Sequence, residues 1–142
     1  VLLDSLKKRI NFLDAVVEKL GLEDVETLHG RAEDFAKQTA YREQFDLCVS
    51  RAVANLSTLS EYCIPYIRVG GMFVSYKSGT VEDELKQSEK AVSLLGGKIE
   101  KTVKFQLPDT EIGRSFVKIK KSSETRKKYP RKAGLPAKEP LS

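Results

Sequence analysis

Residues 1–13 read VLLDSLKKRINFL, and the fold turns on how they are parsed. Val1, Leu2 and Leu3 are apolar, Asp4 stops the run, and Leu6, Ile10, Leu13, Val16, Val17 and Leu20 then recur at the spacing of one helix face. This pattern predicts a buried strand, an acid and a helix, with Ser5 placed to cap the helix and Gly21 to end it as a residue free to take positive φ. A strand closing on an acid at a helix start suits the second strand of a nucleoside-binding half, where a carboxylate can accept both ribose hydroxyls. A first strand and a glycine-rich turn are expected before it. No GxGxxG, GxxxxGK(S/T) or GxGxG occurs in the chain. The expectation is therefore the later portion of a longer protein; a complete small protein is the alternative.

The pattern continues outward. VETLHG (25–30) and FDLCVS (45–50) read as strands, the second apolar enough to be covered on both faces. A single helical turn is expected near Glu33 to Ala36. Leu56, Leu59, Cys63 and Ile67 mark a helix that Pro65 bends or ends. GGMFVSYKS (70–78) reads as a strand after a glycine turn. Thr80 is expected to start a third helix with Asp83 at the capping-box position, its buried face carrying Val81, Leu85, Val92 and Leu95, and Gly96 and Gly97 stopping it. KIEKTVKFQL (98–107) and RSFVKIKK (114–121) follow with no helix between them and read as an antiparallel pair ending the sheet. Alternating strands and helices predict an α/β fold, a mostly parallel sheet with ligands beyond its carboxyl ends.

The net charge of +5 is unevenly placed. From Lys118 onward nine basic residues face Glu124 and Glu139, a balance of +7, whereas residues 1–117 balance to −2. A cationic tail on a nearly neutral body suits a polyanion, RNA or DNA; a solubilising tail is the plainer reading. No apolar run reaches the roughly 20 residues of a membrane span. Cys48 and Cys63 lack the spacing of a metal site or redox pair, and buried thiols in a reducing cytoplasm are expected. His29 has no second histidine with which to share a metal, so no metal is expected.

Several segments together are more specific than these patterns. LLDSLKKRINFL, GRAEDF, FDLCVSRAVANLSTLSEYCIPYIRVGG and YPRKAGLPAKEPL strongly resemble the 16S ribosomal RNA guanine-N7 methyltransferases, the glucose-inhibited division protein B family, over essentially the whole chain. The resemblance implies a Rossmann-like class I methyltransferase fold, incomplete at its N-terminus. Residues 1–121 would be a partial methyltransferase domain starting at the second strand, and residues 122–142 a basic, proline-containing tail. It implies transfer of a methyl group from S-adenosylmethionine to N7 of a guanine in the 530 loop of 16S ribosomal RNA, with the RNA or a small ribosomal subunit as partner.

The resemblance also implies site residues. Asp4, with Ser5 beside it, would hold the cofactor ribose, and Ala32 and Glu33 the adenine edge. Arg51 would lie between cofactor and substrate, its donor fork suited to phosphate or guanine, with Asn55 as its neighbour or as a helix cap. Lys77 at a strand end, and Arg131 and Lys132 folding back from the tail, would position substrate. The chemistry fits a chain without a catalytic dyad: guanine N7 carries an in-plane lone pair and no proton, so the requirement is alignment rather than a general base. Two other classes compete. One is a non-catalytic RNA-binding module; the other is a different Rossmann-like enzyme such as a nicotinamide-dependent oxidoreductase, which would leave GRAED and YPRKAG unexplained.

Overall fold

The computed structural model describes residues 1–51 and 54–142; Ala52 and Val53 of the RAVA segment lie outside the described residues. The elements run β1 (Leu2–Asp4), α1 (Lys7–Leu20), β2 (Thr27–His29), α2 (Ala32–Phe35), β3 (Phe45–Ser50), α3 (Leu56–Cys63), β4 (Ile67–Ser78), α4 (Glu82–Leu94), β5 (Gly97–Gln106), β6 (Gly113–Lys121) and α5 (Leu135–Lys138). A 3₁₀ turn, Ile64–Tyr66, joins α3 to β4.

The strands form two groups. β1 and β2 pair in parallel, with Asp4 opposite His29. The second sheet has the order β3-β4-β6-β5, with β3 and β4 parallel and β6 antiparallel to both its neighbours. The expected antiparallel pair does end the sheet, but the last strand in sequence lies inside and β5 takes the edge. This is an α/β architecture, as the pattern predicts and as the resemblance to a Rossmann-like class I methyltransferase fold implies.

Helices α3 and α4 cover one face of the larger sheet. The core gathers Leu56, Leu59 and Ile64 with Phe73, Val92, Leu95, Val117 and Ile119. Val81, Val92 and Leu95 are buried as expected of the α4 face. In this chain one face of β3 is covered. Cys48 packs toward the core, while Leu47 and Val49 are 55% and 54% exposed, because α3 and α4 both lie on the other side of the sheet. Among the described residues no helix is long and apolar enough to cross a membrane.

Local chemistry corrects several boundaries. Ser5 does not cap α1; the Leu6 amide donates to the Asp4 carboxylate at 2.8 Å, so the acid supplies the acceptor. Gly21 does end that helix, at φ 60°, with the Leu22 amide reaching back to the Val17 carbonyl. Thr80 and Asp83 form no capping box: α4 begins after Val81 with no side-chain cap, the Val81 amide donating instead to Glu82. Ile67 belongs to β4 rather than to a helix, since Pro65 tightens the chain into the 3₁₀ turn. The glycine pair is not a turn before β4 but a bulge within it. The register slips between Phe45 and Leu47, and a Cβ on Gly71 would come within 2.6 Å of the Asp46 carbonyl oxygen.

Candidate functional site

The parallel strands bring Asp4, the Gly30–Ala32 loop and Ser50 to their carboxyl ends. Between β1 and β3, which share no ladder, lies an apolar cleft of about 400 Å³, lined among others by Leu2, Leu3, Leu28, Ala32, Leu47, Val49, Tyr62 and Tyr66. Asp4 stands at the end of β1 and accepts from the Leu6 amide and, at 3.2 Å, from the largely exposed Arg9 guanidinium. Burial works to raise its carboxyl; the Leu6 amide and Arg9 outweigh it and hold the group below its ordinary value. Each oxygen keeps a lone pair free for a further donor. Ser5 is exposed beside it.

The loop after β2 is held from beneath. The Tyr66 hydroxyl donates to the Ala32 carbonyl at 2.6 Å. Burial first, then the Cys63 thiol, pushes the Tyr66 phenol well up, so it remains a donor. Ala32 lines the cleft. Glu33 does not: it is buried, its Oε1 accepting the Gly134 amide at 2.8 Å, with the Arg31 guanidinium 3.5 Å away.

Arg51 is exposed just past β3. Asn55 resolves the alternative left by the sequence as a cap, its Oδ1 accepting from the Thr58 amide at 2.9 Å. Lys77, expected to position substrate, is taken up internally. Its ammonium donates to the Ala54 carbonyl at 2.8 Å and to Glu84 at 2.6 Å, and the same Glu84 oxygen accepts the Leu56 amide. The pair thus fastens the chain around Ala54–Leu56 to α4. Cys48 and Cys63 lie side by side, their contact and burial pushing the Cys63 thiol up.

Residues 122–142 fold back on the body. Arg42 spreads its guanidinium over the carbonyls of Tyr129, Thr125, Arg126 and Ala36. Glu43 accepts the Thr125 amide and faces the buried Lys121 ammonium at 3.0 Å. Arg131, expected on a substrate-facing rim, is instead enclosed by Glu61: its Nε and Nη2 reach the carboxylate at 2.7–3.1 Å and its amide donates at 2.8 Å. A fully buried carboxylate requires such a partner. Lys132 next to it is exposed. Sequence reasoning missed Glu61, Glu84, Arg42 and Glu43. For Glu61 there was a signal, since a charged residue among Leu59, Tyr62, Cys63 and Ile64 needs a counter-charge.

The chain matches a family model described as rRNA small subunit methyltransferase G over residues 1–113. It is 55% identical over 141 residues to the ribosomal RNA small subunit methyltransferase G of Clostridium novyi (strain NT), covering 99% of this chain and 58% of that relative. It is likewise 55% identical to the protein of that name from Clostridium kluyveri, covering 99% and 59%. The chain therefore spans a little under three fifths of these relatives' length. Among solved structures, NSun6 from Pyrococcus horikoshii superposes with a TM-score of 0.64 at 15% identity, over 86% of this chain and 41% of that one. TYW2 of M. jannaschii, crystallised with AdoMet, superposes at 0.60 and 9% identity, over 84% and 56%. At such identities these likenesses speak for the fold alone. The relatives, the matched family model and the strand-end acid agree: this chain belongs to the rRNA small subunit methyltransferase G family, GidB.

Proposed function

We propose that the full-length protein transfers a methyl group from S-adenosylmethionine to N7 of a guanine in the 530 loop of 16S ribosomal RNA, acting in the cytoplasm on the RNA or on a small subunit. The observation that carries this reading is Asp4, an ionised carboxylate at the carboxyl end of a parallel strand with acceptor capacity left over. The relatives' shared name supplies the substrate class.

The residues present fit the nucleoside side of the cofactor. Asp4 offers acceptors to a ribose diol, and Ala32, just past β2, presents a small side chain beside which a flat ring can lie. When bound, S-adenosylmethionine supplies an electrophilic methyl group on a sulfonium. Guanine N7 has no proton to lose, so no side chain of this chain acts as a base. Arg51, exposed at the end of β3, offers a fixed donor fork to phosphate or to the guanine edge, and Lys132 offers a compact positive charge. Lys77 and Arg131 act indirectly, by holding the chain segments around the site. Catalysis on this account is alignment of N7 with the methyl carbon.

The test incubates the full-length protein with labelled S-adenosylmethionine and either naked 16S RNA or small subunits, then maps the label by strand cleavage specific for N7-methylguanine. Label confined to a 530-loop guanine is expected. RNA binding without any methyl transfer would leave a non-catalytic binding module; transfer to another base would overturn the substrate assignment.

A further inference from the structure

Arg131 carries positive charge in a basic tail, yet its side chain is spent inside the protein. We propose that Glu61 and Glu33 are positioning residues that seat Tyr129–Lys138 as a fixed strap across α2 and α3, with Arg131 as the strap's bolt rather than a contact to nucleic acid. The inference rests on the reading above for what the strap borders, and on the strap's own hydrogen bonds for how it is held.

Three ties converge. Glu61, fully buried on α3, takes the Arg131 side chain in a two-pronged pair and also accepts the Arg131 amide. Glu33, buried in the first turn of α2, accepts the Gly134 amide. Thr58, in the first turn of α3, donates its hydroxyl to the Pro136 carbonyl at 3.0 Å. Arg131 closes the strap on itself by reaching the Glu139 carbonyl at 2.8 Å. Since α2 follows β2 and α3 follows β3, the Glu33 and Thr58 ties lie near the carboxyl ends of those strands, and the Glu61 tie lies further along α3.

A buried ion pair is a poor device for stability alone, because apolar residues of like volume serve as well or better. What it contributes is geometry: the planar fork of arginine meets a carboxylate in one orientation. Gly134 stands at φ 86°, where a side chain would be strained, so the strap turns sharply between its two carboxylate ties. The turn leaves Lys132 exposed between Arg131 and Gly134, held at both sides. Lys132 is then the strap residue that meets phosphate.

The experiment compares Glu61→Gln, Arg131→Gln, the double variant and Lys132→Gln in the full-length protein. It measures RNA affinity as a function of salt, affinity for S-adenosylmethionine, kcat and KM with small subunits, and tryptic cleavage of the strap. Loss of one phosphate contact lowers the slope of log affinity against log salt by about 0.7–0.9. Lys132→Gln is expected to show that decrease with the strap still protected from trypsin. Glu61→Gln and Arg131→Gln are expected to change the slope alike, by no more than Lys132→Gln does, to expose the strap to trypsin, and to raise KM for subunits about tenfold or more through misplacement. The double variant should resemble the singles, since both remove one device. Thr58→Val, which keeps side-chain volume, is the parallel variant if Glu61→Gln fails to fold, and should expose the strap in the same direction. An Arg131→Gln variant that lowers the salt slope while Glu61→Gln binds RNA normally would overturn the proposal, because Arg131 would then be touching phosphate. Failure of methyl transfer in the wild type would refute the proposed function, while the trypsin and salt comparisons would still decide the strap.

Discussion

Asp4 performs two tasks with one carboxylate. It accepts the Leu6 amide, which starts α1, and it presents acceptor capacity at the end of β1. Substitution therefore has two separable consequences. Asp4→Ala in the full-length protein is expected to weaken binding of S-adenosylmethionine by about 1.5–3 kcal/mol, the worth of hydrogen bonds to a charged group. It should also lose about 0.5–1.5 kcal/mol of stability, the net worth of the hydrogen bond from the Leu6 amide. Asp4→Asn keeps an acceptor for the Leu6 amide and should restore most of the stability without restoring the affinity. Calorimetric titration beside urea unfolding separates the two, and cofactor affinity equal to wild type in a folded Asp4→Ala protein would remove Asp4 from the site. The position of this acid was legible because the strand-acid-helix order is local. The partners of Lys77 and Arg131 were not: Glu84 lies seven residues from Lys77, and Glu61 seventy residues from Arg131. Nothing in the local pattern distinguishes a basic residue that faces solvent from one that a distant carboxylate will claim.

Among the elements, β3 matched its sequence reading in its bounds, Phe45 and Ser50. β4 began three residues early because Gly70 and Gly71 resemble a turn until the neighbouring strand shows that they make a bulge. Both missed caps share one feature: each helix begins one residue later than expected, so Leu6 and Val81 rather than Ser5 and Thr80 stand at the N-cap. The C-terminal segment, expected as a basic tail from which Arg131 and Lys132 fold back, carries its own titratable tie. Burial works to raise the Glu43 carboxyl, but the Thr125 amide and the Lys121 ammonium together hold it below the ordinary 4.5. A group depressed in the folded state contributes stability that is complete above its unfolded value and drains away as pH falls through the lower, folded value. Acidification below about pH 4.5 should therefore loosen residues 121–129 before the β3–β6 sheet melts. Hydrogen exchange of the Thr125 amide at pH 6 and at pH 3.5, corrected for intrinsic rates, reports this directly. In Glu43→Gln that pH dependence should largely vanish, and protection of Thr125 that is indifferent to pH in the wild type would contradict it.

For the molecule as a whole, the uneven charge acquires a physical layout. Lys121 is buried against Glu43 and the half-buried Arg131 pairs with the buried Glu61, so part of the +7 from Lys118 onward is neutralised by the fold. Arg126, Lys127 and Lys128 remain exposed on the segment that leads into the strap. Replacing all three by glutamine should weaken binding to small-subunit RNA at low salt, and the deficit should shrink as salt rises, because fewer counterions are released. Affinity for S-adenosylmethionine should change little. Filter binding at two ionic strengths makes the comparison, and an equal deficit at both would assign the loss to structure rather than to charge.

The long reach of the strap also dictates when it can form. Its ties join residues 70 to 101 positions apart, and every partner precedes it in the chain. Closing such large loops is entropically uphill until the sheet and α3 already stand. Docking therefore belongs on the native side of the folding barrier. Interactions absent from the transition state leave the rate of folding alone and govern the rate of escape from the native state. Arg131→Gln should accelerate unfolding in a stopped-flow urea jump while the refolding limb stays where it was. A slowed refolding limb would place the strap in the nucleus. On this reading the pair Glu61–Arg131 acts as a latch on lifetime: the strap, last to arrive, sets how long the assembled molecule persists.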